Sequence, residues 1–293
     1  MQRTWTTRAL LAWTAEHLEK QGVDSPRVSS EMLLSHVLGV PRLKLYMEPD
    51  RPASPQERDT FRGLVQRAAK HEPVDYLVGY TPFFALELNV SPAVLIPRPS
   101  TETIVEHVLQ DIRQRDTGDS PISVADVCTG SGAIAIALAK NIPRSRIVAT
   151  DISTDALEVA RENAARHGMT DRIDFRHGDL LEPLGDERFD YLLSNPPYIS
   201  DAEWQDVATN IRDYEPALAL RAGEDGLDLV RPLINHSQKH VASDGKLLIE
   251  IAASQEQAVL DLAGQAGWRS AEVLPDHENL PRVLIAEQHN RAG

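Results

Sequence analysis

The chain has 293 residues, 42% of them apolar, enough for one large domain or for a main domain with a smaller companion. Its formal net charge of −14 argues against a protein that grips long stretches of nucleic acid, which needs a basic face to displace counterions from phosphates. The single cysteine, Cys128, excludes a disulfide framework and a cysteine-based zinc site within one chain, and the ten histidines offer no HExxH pattern, so no metal is expected.

The N-terminal run MQRTWTTRALLAW carries Arg3 and Arg8 and turns polar at Glu16, Glu19 and Lys20. That pattern predicts an amphipathic helix, with Leu10, Leu11, Ala15 and Leu18 on one face, and not a secretory leader. No apolar run reaches the roughly 18 residues of a membrane span, so cytoplasm is the expected compartment. Met32, Leu33, Leu34, Val37 and Leu38 predict a second helix, stopped by Gly39 and Pro41. A third is expected from Ser54 to Lys70, with Phe61, Leu64, Val65 and Ala68 three and four apart and Ser54, Pro55 and Glu57 at its start. Residues 1–74 are therefore expected to form a small helical domain. Between 75 and 100 the character changes: Tyr76–Tyr80 and Phe83–Val90 are β-type runs broken by Gly79 and Pro82, which predicts a hairpin linker. Ile96-Pro97-Arg98-Pro99 then holds the chain extended.

From 101 to 293, helices and strands alternate. Helices are expected over Thr101–Arg113, from Ala133, over Thr154–His167 and over Gly226–Val241, with one more near the end. Strands are expected over Ser123–Val127, Arg146–Thr150, Ile173–Arg176, Tyr191–Ser194 and Lys246–Ile251, then near Trp268–Leu274 and Arg282–Ala286. Alternation of this kind predicts an α/β fold: a mostly parallel, Rossmann-like sheet with helices on both faces.

Three stretches of this region carry chemistry. Asp126-Val127-Cys128-Thr129-Gly130-Ser131-Gly132 links a strand to a helix, where glycines let the backbone turn sharply and approach a ligand. It is not GxGxxG; it is closer to the acidic-x-G-x-G-x-G turn of class I methyltransferases, with Cys128 in place of the first glycine. Asp151 ends the next strand, about 20 residues on, where two carboxylate oxygens can take the two hydroxyls of a ribose. Asp179, after the third strand, is placed to meet an adenine amino group, with Leu180 beside it. Asn195-Pro196-Pro197-Tyr198 follows the fourth strand, at the carboxyl edge of the sheet. Two prolines remove two N–H donors and leave acceptors, the Asn195 side-chain oxygen and the Pro196 carbonyl, which together suit a planar NH2 group. Tyr198 is expected to pack against that plane.

This NPPY sequence resembles the motif of methyltransferases acting on planar amino groups, either adenine N6 or protein glutamine N5. The stretch Ser91-Pro92-Ala93-Val94-Leu95-Ile96-Pro97-Arg98-Pro99-Ser100-Thr101-Glu102 is similar to the signature of the peptide chain release factor N5-glutamine methyltransferase family. So are Pro26-Arg27 with Glu31-Met32-Leu33-Leu34, Glu72-Pro73, Tyr214-Glu215-Pro216-Ala217-Leu218-Ala219-Leu220 and Pro281-Arg282-Val283. The resemblance spans nearly the whole chain. It implies a helical N-terminal domain for substrate recognition, a hairpin linker and a class I methyltransferase domain. It implies methyl transfer from S-adenosylmethionine to the glutamine of the GGQ motif in class 1 release factors, with no direct nucleic-acid or membrane partner. By position, the cofactor would meet Asp126, Cys128, Thr129, Gly130, Ser131, Gly132, Asp151, Asp179, Leu180 and Asn195, and the substrate Asn195 to Tyr198. Two departures stand out: Cys128 for glycine, harmless if its φ is negative, and Leu180 where some family members carry an aromatic residue. Arg98 and Glu102 are expected to serve an interdomain ion pair or the helix start, with a substrate or cofactor contact as the alternative, and His107 to lie on a helix surface. A ribosomal-protein glutamine methyltransferase, an adenine methyltransferase and a non-catalytic cofactor-binding module are the rival readings.

Overall fold

The computed structural model describes residues 5–114 and 120–288, so Arg3 of the first expected helix lies outside the described residues. The described chain divides into two compact units, one of residues 1–80 with 208–214, the other of 81–207 with 215–293.

The first unit is helical: α1 (Thr7–Lys20), α2 (Pro26–Leu38), α3 (Arg42–Met47), α4 (Pro55–Ala68) and α5 (Val74–Val78), with α9 (Thr209–Arg212) contributed from later in the chain. Two helix starts follow their local chemistry. The Thr6 hydroxyl accepts from Ala9 N–H at the start of α1. Ser54 and Glu57 form a reciprocal capping box ahead of Pro55. Gly39, at φ 62, ends α2 in the left-handed conformation that glycine adopts at no steric cost. Leu10, Leu18, Leu33, Leu34, Phe61 and Val65 are the centre of this unit's core. The segment read as the first strand of a hairpin, Tyr76 onward, is instead the last helix, α5, which Gly79 closes at φ 83. A single turn opening on Val74 and burying Val74, Leu77 and Val78 at three- and four-residue spacing outweighs the β preference of its residues.

The hairpin itself is β1 (Tyr80–Phe83) paired with β2 (Leu86–Asn89). The main sheet of the second unit contains β3 (Ile122–Val127), β4 (Ser145–Asp151), β5 (Ile173–His177), β6 (Phe189–Ser194), β7 (Val241–Glu250), β8 (Ser270–Pro275) and β9 (Pro281–Glu287), in the order β5-β4-β3-β6-β7-β9-β8. The pairings from β5 through β7 are parallel; β9 runs antiparallel to β7 and to β8. Strand alternation sorts the two cores. Val124 of β3, Tyr191 and Leu193 of β6 and Leu248 of β7 pack with α6 (Glu102–Gln114), α7 (Ala133–Asn141) and α8 (Thr154–Arg166). Ala125, Leu192, Leu247 and Ile249 pack on the other side with α10 (Val230–His236) and α11 (Glu256–Ala266). The helix expected over Gly226–Val241 is shorter than that: a 3-10 turn follows His236, and Val241 already begins β7. Among the described residues no helix is long and apolar enough to cross a membrane.

Candidate active site

The strand order reverses at β3, which has β4 on one side and β6 on the other. Ligands in open α/β sheets bind in the crevice at that switch point, outside the carboxyl ends of the strands. A cavity of about 220 Å³ lies there, walled by the turns after β3, β4, β5 and β6 and by residues 93–97 and 216–221. Its lining includes Cys128, Thr129, Gly130, Ser131, Asp151, Asp179, Leu180, Asn195 and Pro197. Asp126, Gly132, Pro196 and Tyr198 do not line it.

The turn after β3 is built from underneath. Asp126 is fully buried and accepts from the Thr129 hydroxyl at 2.6 Å and from Ala135 N–H at 3.2 Å, the first turn of α7. Burial pushes its pKa up to about 7, against the pull of those two hydrogen bonds. Asp126 therefore shapes the turn from below, outside the cavity lining. Gly132 has φ 81, and a Cβ there would sit 3.0 Å from Ile136 and 3.2 Å from Ala160, so only glycine fits this close approach of turn to helix. Asn163 uses its whole amide: it accepts from Asn89 N–H at 2.6 Å and donates to the carbonyls of Asn89 and Ser131, each at 3.0 Å. Cys128 has φ 61, not the negative value under which its replacing glycine would be harmless. Its thiol is held protonated, chiefly by burial.

Asp151 is tied to the same turn. One oxygen accepts from Gly130 N–H and the other from Ser153 N–H, both at 2.9 Å. Two of roughly four acceptor positions of a carboxylate are thus committed, which leaves room for a pair of hydroxyls. Burial raises its pKa. Ile152, half-exposed, and Leu180, at φ 43, add apolar surface on the cavity wall, and the Thr150 hydroxyl donates to the Leu180 carbonyl at 3.3 Å.

The turn after β6 is held from three sides. The Ser194 hydroxyl donates to the Val127 carbonyl at 2.8 Å. Gln255, buried, donates to the carbonyls of Tyr198 and Gly226. Ile199 and Arg221 form a parallel bridge, with Ile199 N–H on the Leu220 carbonyl at 2.9 Å. Asn195 donates through Nδ2 to the Thr101 hydroxyl at 3.1 Å, while its Oδ1 is buried and has no partner. An unsatisfied buried acceptor on a cavity-lining residue is the kind of atom a ligand's N–H completes. The Tyr198 hydroxyl donates to Glu250 at 3.5 Å.

Arg98 pairs with Glu215, whose other oxygen accepts from Ile96 N–H at 3.1 Å. Both residues belong to the second unit, so this ion pair is not an interdomain one; it fastens two motif stretches that wall the cavity. Glu102 opens α6 and accepts from Phe84 N–H at 2.7 Å. His107 is half-buried rather than on the helix surface. The sequence also holds one HxxxH spacing, His236 to His240, but α10 ends at His236 and the His240 ring faces the Glu187 carbonyl. Among the described residues one group has metal-ligand spacing, Glu102, Glu106 and His277, and none of it lines the cavity.

Thr101, Ile152, Leu218, Arg221 and Glu250 were not singled out from the sequence. Glu250 had a readable signal, a charge closing the apolar run Leu247-Leu248-Ile249 at a carboxyl edge. Thr101 and Leu218 lay inside quoted motif stretches without a role of their own; Ile152 and Arg221 had no signal without the fold.

The methyltransferase small domain family matches residues 101–214. The fold is shared with the T. thermophilus 16S rRNA N2 G1207 methyltransferase solved with AdoMet and guanosine, at TM-score 0.51 and 18% identity over 72% of this chain and 50% of that one. A sheet of this order with a glycine turn after β3 and a carboxylate ending β4 is the class I methyltransferase architecture, and the chain is a methyltransferase. The PrmC N-terminal domain family matches residues 9–79. The release factor glutamine methyltransferase of Geobacter sulfurreducens is 39% identical over 96% of both chains, and that of Moorella thermoacetica 40% identical over 96% of this chain and 98% of its own. The chain belongs to the release factor glutamine methyltransferase family.

Proposed function

We propose that this protein transfers a methyl group from S-adenosylmethionine to the side-chain amide nitrogen of the glutamine in the GGQ motif of class 1 release factors. The observation that carries the reading is the Asn195 amide: one end is bonded to Thr101, and the other is a buried acceptor without a partner at the cavity. The family resemblance names the substrate; the amide supplies the chemistry that fits it.

The residues suit the cofactor. Asp151 has acceptor capacity left for the ribose hydroxyls, Asp179 and Leu180 are placed for the adenine, and the turn Cys128–Ser131 for the amino-acid end. When bound, S-adenosylmethionine supplies an electrophilic methyl on a sulfonium. The chain's own groups orient the nucleophile. The Asn195 oxygen takes one hydrogen of the glutamine NH2 and stabilises the positive character that grows on nitrogen; the Pro196 carbonyl, just behind the cavity lining, is the acceptor proposed for the other. The apolar surfaces of Leu218 and Pro216 on the same wall suit a glycine-rich loop that has few side chains of its own. The helical unit is read as the part that binds the body of the release factor, and cytoplasm is the compartment this reading fits. No nucleic acid takes part directly.

Asn195→Ala tests it. Turnover should fall about 100- to 1,000-fold, the cost of removing one member of a preorganised charge-stabilising set, while cofactor affinity changes less. Near-normal turnover would move the chemistry elsewhere.

A further inference from the structure

Glu250 closes β7 at the carboxyl edge of the sheet and is fully buried. One of its oxygens, Oε1, accepts from the Ser100 hydroxyl at 3.1 Å and from the Tyr198 hydroxyl at 3.5 Å; Oε2 has no partner. Burial raises the Glu250 pKa, against the pull of hydrogen bonds from the Thr101 and Ser100 hydroxyls and of the nearby Arg282 charge. Arg282 is itself committed to Asp276 at 3.0 Å and to the Ile251 carbonyl. At Glu250 the strand pairing is made by the backbone, with Val283; the carboxylate takes no part in it and does not line the cavity. What it does touch is the residue that holds Asn195.

An asparagine amide is ambiguous: turned through 180°, it presents NH2 where it had presented oxygen. A threonine hydroxyl alone does not choose between the two, because it can donate or accept. Beside a carboxylate it can choose. Glu250 Oε1 already accepts from two hydroxyls, so the Thr101 proton goes to this acceptor too, and the Thr101 oxygen is left to accept from Asn195 Nδ2. That directs the Asn195 oxygen to the other side. The chain Asn195–Thr101–Glu250 then runs in one direction, each group donating to the next and the last an accepting carboxyl oxygen. Hydrogen bonds in such a chain polarise one another and make the terminal oxygen a stronger acceptor.

We propose that Glu250, through the Thr101 hydroxyl, is a positioning residue that fixes and polarises the Asn195 amide so that its oxygen is the acceptor offered to the substrate NH2. The inference rests on the reading of Asn195 given above. It assigns Thr101 and Glu250 an effect on turnover that passes through Asn195 alone.

A double-mutant cycle on the full chain tests this, with S-adenosylmethionine and an intact release factor as substrates. Thr101→Val keeps shape and removes the hydroxyl; kcat should fall about 10-fold, the scale of one lost hydrogen bond, with KM little changed. Thr101→Ser should restore kcat to near the parental value. Glu250→Gln, whose amide NH2 can donate to Thr101 and so turn its hydroxyl the other way, should also lower kcat. In an Asn195→Ala background both changes should be silent. Multiplicative losses in that background, or unchanged kcat in Thr101→Val or Glu250→Gln alone, would overturn the relay while leaving the Asn195 reading in place. Unchanged kcat in Asn195→Ala alone would remove that reading and the relay with it.

Discussion

Cys128 shows how one backbone angle changes the meaning of a substitution. At φ 61 it occupies the left-handed region, where a side chain costs about 1–2 kcal/mol. Cys128→Gly relieves that strain but adds freedom to the unfolded chain, about 0.5–1 kcal/mol, so stability should change by less than about 1 kcal/mol. Cys128→Val, of similar size but branched at Cβ, should be at least about 1–2 kcal/mol less stable than the glycine variant by urea denaturation. Equal stabilities would contradict the assigned backbone conformation. Asp126 offers a second test at this scale. Its folded pKa of about 7 lies above its ordinary 3.8, so the unfolded chain releases the proton first. Stability attached to the protonated form is complete below about pH 4 and is lost as pH rises through 7. The stability of the parent minus that of Asp126→Asn should therefore decline between those values, by up to about 1.4 kcal/mol per pH unit. A difference constant with pH would mean that the carboxyl ionises as freely folded as unfolded.

At the scale of elements, the site depends on a few side chains that tie turns to helices. Asn163 on α8 satisfies three backbone groups, two on the last residue of β2 and one in the glycine turn. Asn163→Ala should cost at least about 2 kcal/mol, since buried backbone groups lose their partners, and should weaken cofactor binding as well. Unchanged melting and affinity would show that the hairpin does not support the turn. Asn163 was not legible from sequence: its helix reads as amphipathic, and a polar residue on the inner face gives no hint of its partner 74 residues away. The parallel strands and the helices α4, α6, α7 and α8 were legible, because period and caps agree there. Tyr76–Val78 was misread because aromatic and β-branched residues outvote helix spacing in so short a segment. Asp126 was read as facing the ligand because sequence places a residue at a turn without saying on which side of it.

Across the whole molecule, two units share one chain, and the segment 208–214 of the later sequence belongs with the first unit. There the Tyr214 hydroxyl donates to the Lys70 carbonyl at 3.1 Å. The first unit leaves Leu43 and Met47 of α3 exposed at 71% and 72%, more apolar surface than a buried-core role needs. A GGQ loop offers little to hold, so binding energy from a larger surface of the release factor is expected to position the reacting nitrogen. With a net charge of −14 over the chain, a partner with its own basic groups is expected there. The most direct test of the central claim is fragment mass spectrometry of a purified class 1 release factor after incubation with this protein and S-adenosylmethionine. The account predicts one added methyl, on the side chain of the GGQ glutamine, and its loss with Asn195→Ala. An unmodified release factor, or a methyl on any other residue, would contradict it.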